Sequence, residues 1–144
     1  MPIEYDLIDY QHFASVYQVE KDGKMGLYSS CSECLAPCQY DADCRLFFCR
    51  DGYSTVQKDR KQGLINSKGQ EVIPCMYDLC FYDAAFGKVR VKVGEEWSIL
   101  DLQNKPLVPD GFKVKNISIY DEGLLMVEKD GKLGLYDTYG NCTL

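Results

Sequence analysis

The sequence predicts an all-β protein of about four stacked β-hairpin repeats, each about 36 residues long, arranged as an open or partly closed curved stack. Three observations carry this expectation. Residues 19–28 (VEKDGKMGLY) recur almost unchanged as residues 127–136 (VEKDGKLGLY). A second signature, Pro-x-x-Tyr-Asp, alternates with the first along the chain at Pro2, Pro37 and Pro74. Eleven Tyr and six Phe, with turn dipeptides in place of helical periodicity, favour strands.

The repeats follow in order. An N-terminal half repeat (1–16) carries Pro2-x-x-Tyr5-Asp6, and three units follow at 17–54, 55–90 and 91–125 before a half repeat at 126–144. Weaker copies of the first signature begin at Val56 and Val91, so its glycine position reads Gly26, Gly63, Ser98 and Gly134, spaced by 37, 35 and 36 residues. The second signature continues as Pro37-x-x-Tyr40-Asp41, Pro74-x-x-Tyr77-Asp78 and a degenerate Pro109-x-x-Phe112. Asp22-Gly23 and Asp130-Gly131 are type I′ hairpin signals. Ser67-Lys68-Gly69 and Thr138-Tyr139-Gly140 mark a second turn, and the strand at Glu71-Val72-Ile73 stops at Pro74, which has no N–H for a ladder. Phe13, Phe48, Phe86 and Tyr120 share one repeat position and are expected to plug the core, each contributing roughly 1.5–3 kcal/mol when buried. A lone hairpin is marginal in water, so such units must stack.

The pattern Gly-Lys-x-Gly-Leu-[Tyr/Ile], a turn, then Ile-Pro-x-x-Tyr-Asp resembles the bacterial WG repeat family over nearly the whole chain, with residues 61–78 carrying most of it in one piece. The Trp-Gly dipeptide itself is absent: its Trp position holds Met25, Gln62, Trp97 and Leu133, so the resemblance is to a divergent member. It implies an interaction module with a protein or peptide partner. Because the chain begins and ends in mid-repeat, a closed ring sealed by the two half repeats is the alternative to the open stack. The short period favours the open form, since propeller blades run to about 40–50 residues.

One domain is expected at 144 residues, and 46% apolar with 26% charged residues is ordinary globular usage. A net charge of −6 opposes nucleic acid. No apolar run is long enough to span a membrane, and the N-terminus lacks a basic, apolar leader, so a cytoplasmic protein is expected.

Eight cysteines are the least ordinary feature. Five cluster as Cys31, Cys34, Cys38, Cys44 and Cys49, and a Cys-x2-Cys turn can present two thiolates to one zinc ion, making these the metal candidates for a zinc-stabilised structural or regulatory domain. Against that, Cys38 aligns with Cys75, as a structural slot would, and free cysteines pack as small apolar residues. Disulfides find little support in a reducing compartment. His12 is the only histidine, which leaves only a Cys-His pairing for nucleophilic catalysis. Phosphate-cradling glycine loops, nucleophile elbows and His-Glu-x-x-His are absent, so no catalytic or cofactor-binding residues are assigned and the chain reads as non-catalytic, an unrecognised enzyme being the minor alternative. Asp6, Asp41 and Asp78 recur at one position, and Asn66, Asp101 and Asp137 at another; repetition points to turn residues satisfying backbone donors.

Overall fold

The computed structural model describes residues 4–44, 46–84, 87–107, 113–116 and 125–137. Every regular element among them is a strand. Four form a first antiparallel meander: β1 (Leu7–Gln11), β2 (Val16–Lys21), β3 (Lys24–Ser29) and β4 (Cys34–Asp41). A second, three-stranded sheet holds β5 (Tyr53–Lys58), β6 (Lys61–Asn66) and β7 (Glu71–Tyr77). The third runs neighbour by neighbour from β8 (Leu79–Asp83) through β9 (Lys88–Val93), β10 (Glu96–Leu100), β11 (Lys113–Asn116) and β12 (Leu125–Lys129) to β13 (Lys132–Tyr136). No helix among these residues is long and apolar enough to cross a membrane.

Side-chain alternation makes the second sheet the centre of the stack. Val56 and Ile65 pack with Val16, Met25, Leu27, Ala36, Tyr40, Leu46 and Phe48 between the first two sheets. Leu64 and Ile73 instead face Cys80, Val89, Val91 and Leu100 of the third. Leu64 and Ile65 are neighbours in sequence on opposite faces of one strand, and both are 0% exposed. The Gly-Leu-Ile triplet of the repeat is therefore a strand buried on two sides. The sheets break at Tyr40-Asp41 and Tyr77-Asp78. Among the described residues the stack is open: β1 pairs only with β2, and no strand of the C-terminal half repeat joins the first sheet.

The repeated glycine and proline are two halves of one device. A Cβ on Gly26 would lie 2.5 Å from the Ala36 carbonyl oxygen and 2.7 Å from the Pro37 carbonyl carbon; on Gly63 it would lie 2.4 Å from the Ile73 oxygen and 2.8 Å from the Cys75 nitrogen. Only a residue without a side chain lets the proline-bearing strand close so near. The ladder is irregular at both places, shifting register between Met25 and Tyr28 and between Gln62 and Ile65. Such bulges bend and twist the strand. In the third unit Ser98 stands in for the glycine, and there β10 makes one isolated bridge, Leu100 to Pro106, before pairing with β11. Pro109 and Phe112 lie outside the described residues.

Both predicted turn types are present among the described residues, and Thr138-Tyr139-Gly140 lies outside them. Asp22 (φ 54°) with Gly23 (φ 77°) and Asp130 (φ 53°) with Gly131 (φ 77°) carry the positive φ pair of a type I′ turn. Asp59 and Arg60 adopt the same pair without glycine (φ 51° and 66°), at a cost of about 1 kcal/mol for the arginine. In the second turn one side chain accepts two backbone N–H groups each time: Asn66 from Lys68 and Gln70, both 3.0 Å, and Asp101 from Gln103 and Lys105, both 2.9 Å. Ser29 does the same at 3.3 and 3.1 Å.

The Tyr-Asp carboxylate is the joint between units. Asp41 ends β4, accepts the Arg60 N–H in the next hairpin (3.0 Å) and pairs with Lys24 (2.7 Å). Asp78 repeats this with the Gly94 N–H (2.7 Å) and Lys61, and Asp6 with the Asp22 N–H (3.1 Å). Lys24 and the Arg60 N–H hold the Asp41 carboxyl far below its ordinary range, and Lys61 lowers Asp78.

The expected row of core plugs is corrected in one place. Phe48 is buried at 2% exposure, but Phe13 is 56% exposed beneath the Arg50 guanidinium. Phe48 is covered because a sheet lies on either side of it; among the described residues nothing stacks on the outer side of the first sheet. Phe86 and Tyr120 lie outside the described residues.

Two predictions follow from the packing. Gly63→Ala forces backbone apart and should lower stability by about 1–3 kcal/mol in urea unfolding; a change under about 0.5 kcal/mol contradicts the close approach. Asp41 is depressed below its ordinary value of 3.8, so its contribution is complete above that value and is lost as pH falls toward the folded-state pKa. Asp41→Asn should be less stable at pH 7 and show a flatter decline between about pH 4 and pH 2 than the wild type; parallel acid limbs would contradict the joint.

Candidate functional site

The first sheet leaves β1 as an edge. Its sequence, Leu7-Ile8-Asp9-Tyr10-Gln11, places apolar side chains on both faces, and Leu7, Ile8 and Tyr10 are 37%, 49% and 39% exposed. Alternate backbone N–H and C=O groups of an edge strand point away from its partner. One carboxylate, Asp9, is the strand's only charged side chain. Natural edges are usually blunted by more charge, by proline or by a covering element.

At its C-terminal end β1 runs into a pocket of 380 Å³ walled by Tyr10, His12, Phe13 and Phe47, with Gln18 and Phe48 among its other lining residues. Alternation builds the wall: Leu46 and Phe48 turn into the core at 2% exposure each, leaving Phe47 between them 82% exposed. The Phe47 N–H donates to the buried Ser54 hydroxyl (2.9 Å), which fixes that backbone. Tyr10 is held edge-on against His12 (5.0 Å between centroids, 79°) and tilted against Tyr17 (5.1 Å). Gln18 is 2% exposed; its Oε1 accepts from Gln11 Nε2 (3.5 Å) and its Nε2 donates to Glu20 (3.4 Å). The pocket is an aromatic cleft that also presents Asp9, Gln11 and Gln18, suited to an apolar or aromatic side chain with a polar neighbour.

The cysteine candidates are spread over three local settings. Cys31 lies exposed in the turn between β3 and β4, Cys34 is exposed at the start of β4, and Cys38 is half-buried within it. Cys44 follows β4 and Cys49 precedes β5, both half-buried. Among the described residues no three His, Cys, Asp or Glu side chains converge to hold a metal ion. Burial raises the thiol pKa of Cys38 and Cys44, and it pushes Cys75 and Cys80 up to about 12, helped at Cys75 by the Glu71 carboxylate. These four are protonated at neutral pH and pack as small, weakly polar residues. Cys75 does so at its repeat position, its Sγ 4.0 Å from the Val56 carbonyl. Cys142 lies outside the described residues. None of the described residues lining the His12 pocket is a cysteine, and the repeated acids are engaged in turns and joints, with Asp137 also partnered.

Sequence reasoning passed over Phe47 and β1. The signal was present in Leu46-Phe47-Phe48, where period-two burial must leave the middle residue outside.

The WG containing repeat family matches residues 63–97, which run from the close-packed Gly63 through β7, β8 and β9 to Trp97. No curated protein matches. A crystal structure of the eukaryotic initiation factor aligns with 100% of this chain at TM-score 0.54 and 12% identity, a likeness of fold alone; this chain spans 44% of that one. Kluyveromyces lactis Hsv2 aligns over 94% of this chain and 50% of its own at TM-score 0.38 and 12% identity.

Thiol labelling at pH 7.5 separates the cysteine settings. Cys31 and Cys34 should react with a maleimide at once, whereas Cys80 stays unmodified until the protein unfolds; labelling of Cys80 as fast as Cys31 would contradict its burial.

Proposed function

We propose that this chain, which carries a WG containing repeat over residues 63–97, is a non-catalytic module that binds a protein or peptide partner by taking an extended segment along the β1 edge. One observation carries the reading: a strand paired on one side only among the described residues, with exposed Leu7, Ile8 and Tyr10, leads directly into an aromatic pocket. Backbone pairing along an edge supplies affinity without regard to sequence, while a side-chain pocket supplies selectivity. The stacked core behind β2 and β3 holds that edge in place, so little ordering is needed on binding. The chemistry of the pocket agrees with binding in preference to turnover. His12 has the Tyr10 ring as its neighbour, and the four raised thiols are protonated instead of nucleophilic. Its free thiols suit a reducing, cytoplasmic setting.

Selection from a library of displayed, unstructured peptides on the wild-type protein tests the reading, with Phe47→Asp and Ile8→Lys as counter-screens at exposed positions that leave the core intact. Selected peptides should carry an apolar or aromatic residue, slow amide exchange in β1, and bind each variant at least about tenfold more weakly, about 1.4 kcal/mol. Peptides that bind both variants equally well, or that leave β1 exchange unchanged, would overturn it.

A further inference from the structure

We infer that Cys34 and Cys38 on β4 form a reversible dithiol–disulfide site, oxidised by exchange with a low-molecular-mass disulfide. The site lies at the far side of the first sheet from β1, so it does not rest on the edge-binding reading. Four steps along a regular strand cover about 13 Å, well beyond a disulfide, whose Cα atoms lie within about 7 Å of each other. The bulge over Gly26 removes that obstacle. Cys34 is opposite Tyr28 and Tyr40 is opposite Met25, so six steps of β4 cover three steps of β3, about 10 Å. Cys38 falls within the compressed stretch, its backbone nitrogen 2.9 Å from where a Cβ on Gly26 would lie. It therefore stands about two β3 residues from Cys34, about 7 Å along the strand. Pro37, Cys38 and Gln39 have no partners in the β3–β4 register, so their backbone can shift to close the last of the gap without breaking the ladder.

The next unit shows that side chains at these two positions meet. Glu71 and Cys75 follow Cys34 and Cys38 at the same interval of 37 residues by which Gly63 and Pro74 follow Gly26 and Pro37. The β6–β7 ladder slips at the matching places, and there the Cys75 thiol donates to the Glu71 carboxylate at 3.7 Å. In the first unit two thiols take the places of that touching pair. Burial raises the Cys38 thiol pKa, and the Cys34 thiol adds to the rise, which agrees with their closeness. Cys31 is placed differently. It belongs to the loop closed by the Ser29 N–H donating to the Glu33 carbonyl (2.8 Å), outside the strand.

Exposure sets the order of the steps, since Cys34 is exposed and Cys38 half-buried. The Cys34 thiolate attacks one sulfur of glutathione disulfide, forming a mixed disulfide and releasing one glutathione thiolate. Cys38 then loses its proton and attacks the Cys34 sulfur, which closes the protein disulfide and releases the second glutathione. Two protein thiols are oxidised, one glutathione disulfide is reduced, and the two protons end on the two glutathione thiols. Excess glutathione thiol reverses the sequence by attack at the exposed Cys34 sulfur.

The reduced full chain is incubated with glutathione disulfide at pH 8 and sampled over time. Free thiols are blocked with one alkylating reagent, disulfides are reduced, and the thiols so released are marked with a second. Intact mass should fall by two hydrogens, fragmentation should place the second label on Cys34 and Cys38 alone, and glutathione thiol should restore the starting mass. Cys31→Ser should behave as wild type. Cys38→Ser should stop at glutathione bound to Cys34, and Cys34→Ser should form no bridge to Cys38, both with far-UV dichroism unchanged. A bridge from Cys34 to Cys31 or Cys44, a mixed disulfide on Cys34 that persists in the wild type, or no oxidation at Cys38 would each overturn the inference.

Discussion

Where β3 passes beneath Pro37 and β6 beneath Pro74, there is no room for even a methyl group. The rest of the architecture depends on that closeness. Because Gly26 and Gly63 let the proline-bearing strand collapse onto its neighbour, the ladder slips and β4 and β7 bend. The bend carries Tyr40-Asp41 and Tyr77-Asp78 to the next sheet, where each carboxylate accepts an N–H from the following hairpin. Tyr40, 1% exposed, reaches across the same boundary to Glu71 (3.0 Å). Glycine, proline, tyrosine and aspartate thus recur together because they make one connected piece of geometry. In the third unit, where Ser98 holds the glycine position, β10 makes an isolated bridge from Leu100 to Pro106 and pairs with β11 through Trp97 and Val114.

Stacking through such joints buries the second sheet on both faces and leaves the β1 edge, whose apolar residues lack a covering sheet among the described residues. The edge is a terminal surface, as expected of a repeat array, whose interior is committed to neighbour contacts. The repeated acidic side chains belong to the interior arrangement and are occupied there.

What was legible in the sequence was local or periodic. The type I′ turns at Asp22-Gly23 and Asp130-Gly131, the capping role of Asn66 and Asp101, and the open stack follow from short-range chemistry repeated at a fixed interval. What was not legible depends on which sheet lies against which. Phe13 and Phe48 share one repeat position, yet only Phe48 has a sheet on either side. The five cysteines from Cys31 to Cys49 are close in sequence but divided among a turn, a strand and the connection from β4 to β5, since a strand carries its residues apart by about 3.3 Å each. Phe81 and Trp97 meet across an intervening strand, a pairing that register alone creates.

The central claim is a two-sided middle sheet between a covered interior and an open edge, and residue-resolved amide hydrogen exchange of the isolated chain tests it most directly. The account predicts that the Leu64 and Ile65 amides in β6 exchange slowest, near the rate set by global unfolding, while alternate amides of β1 exchange orders of magnitude faster. Exchange of β6 as fast as that of β1, or uniform protection along β1, would contradict it.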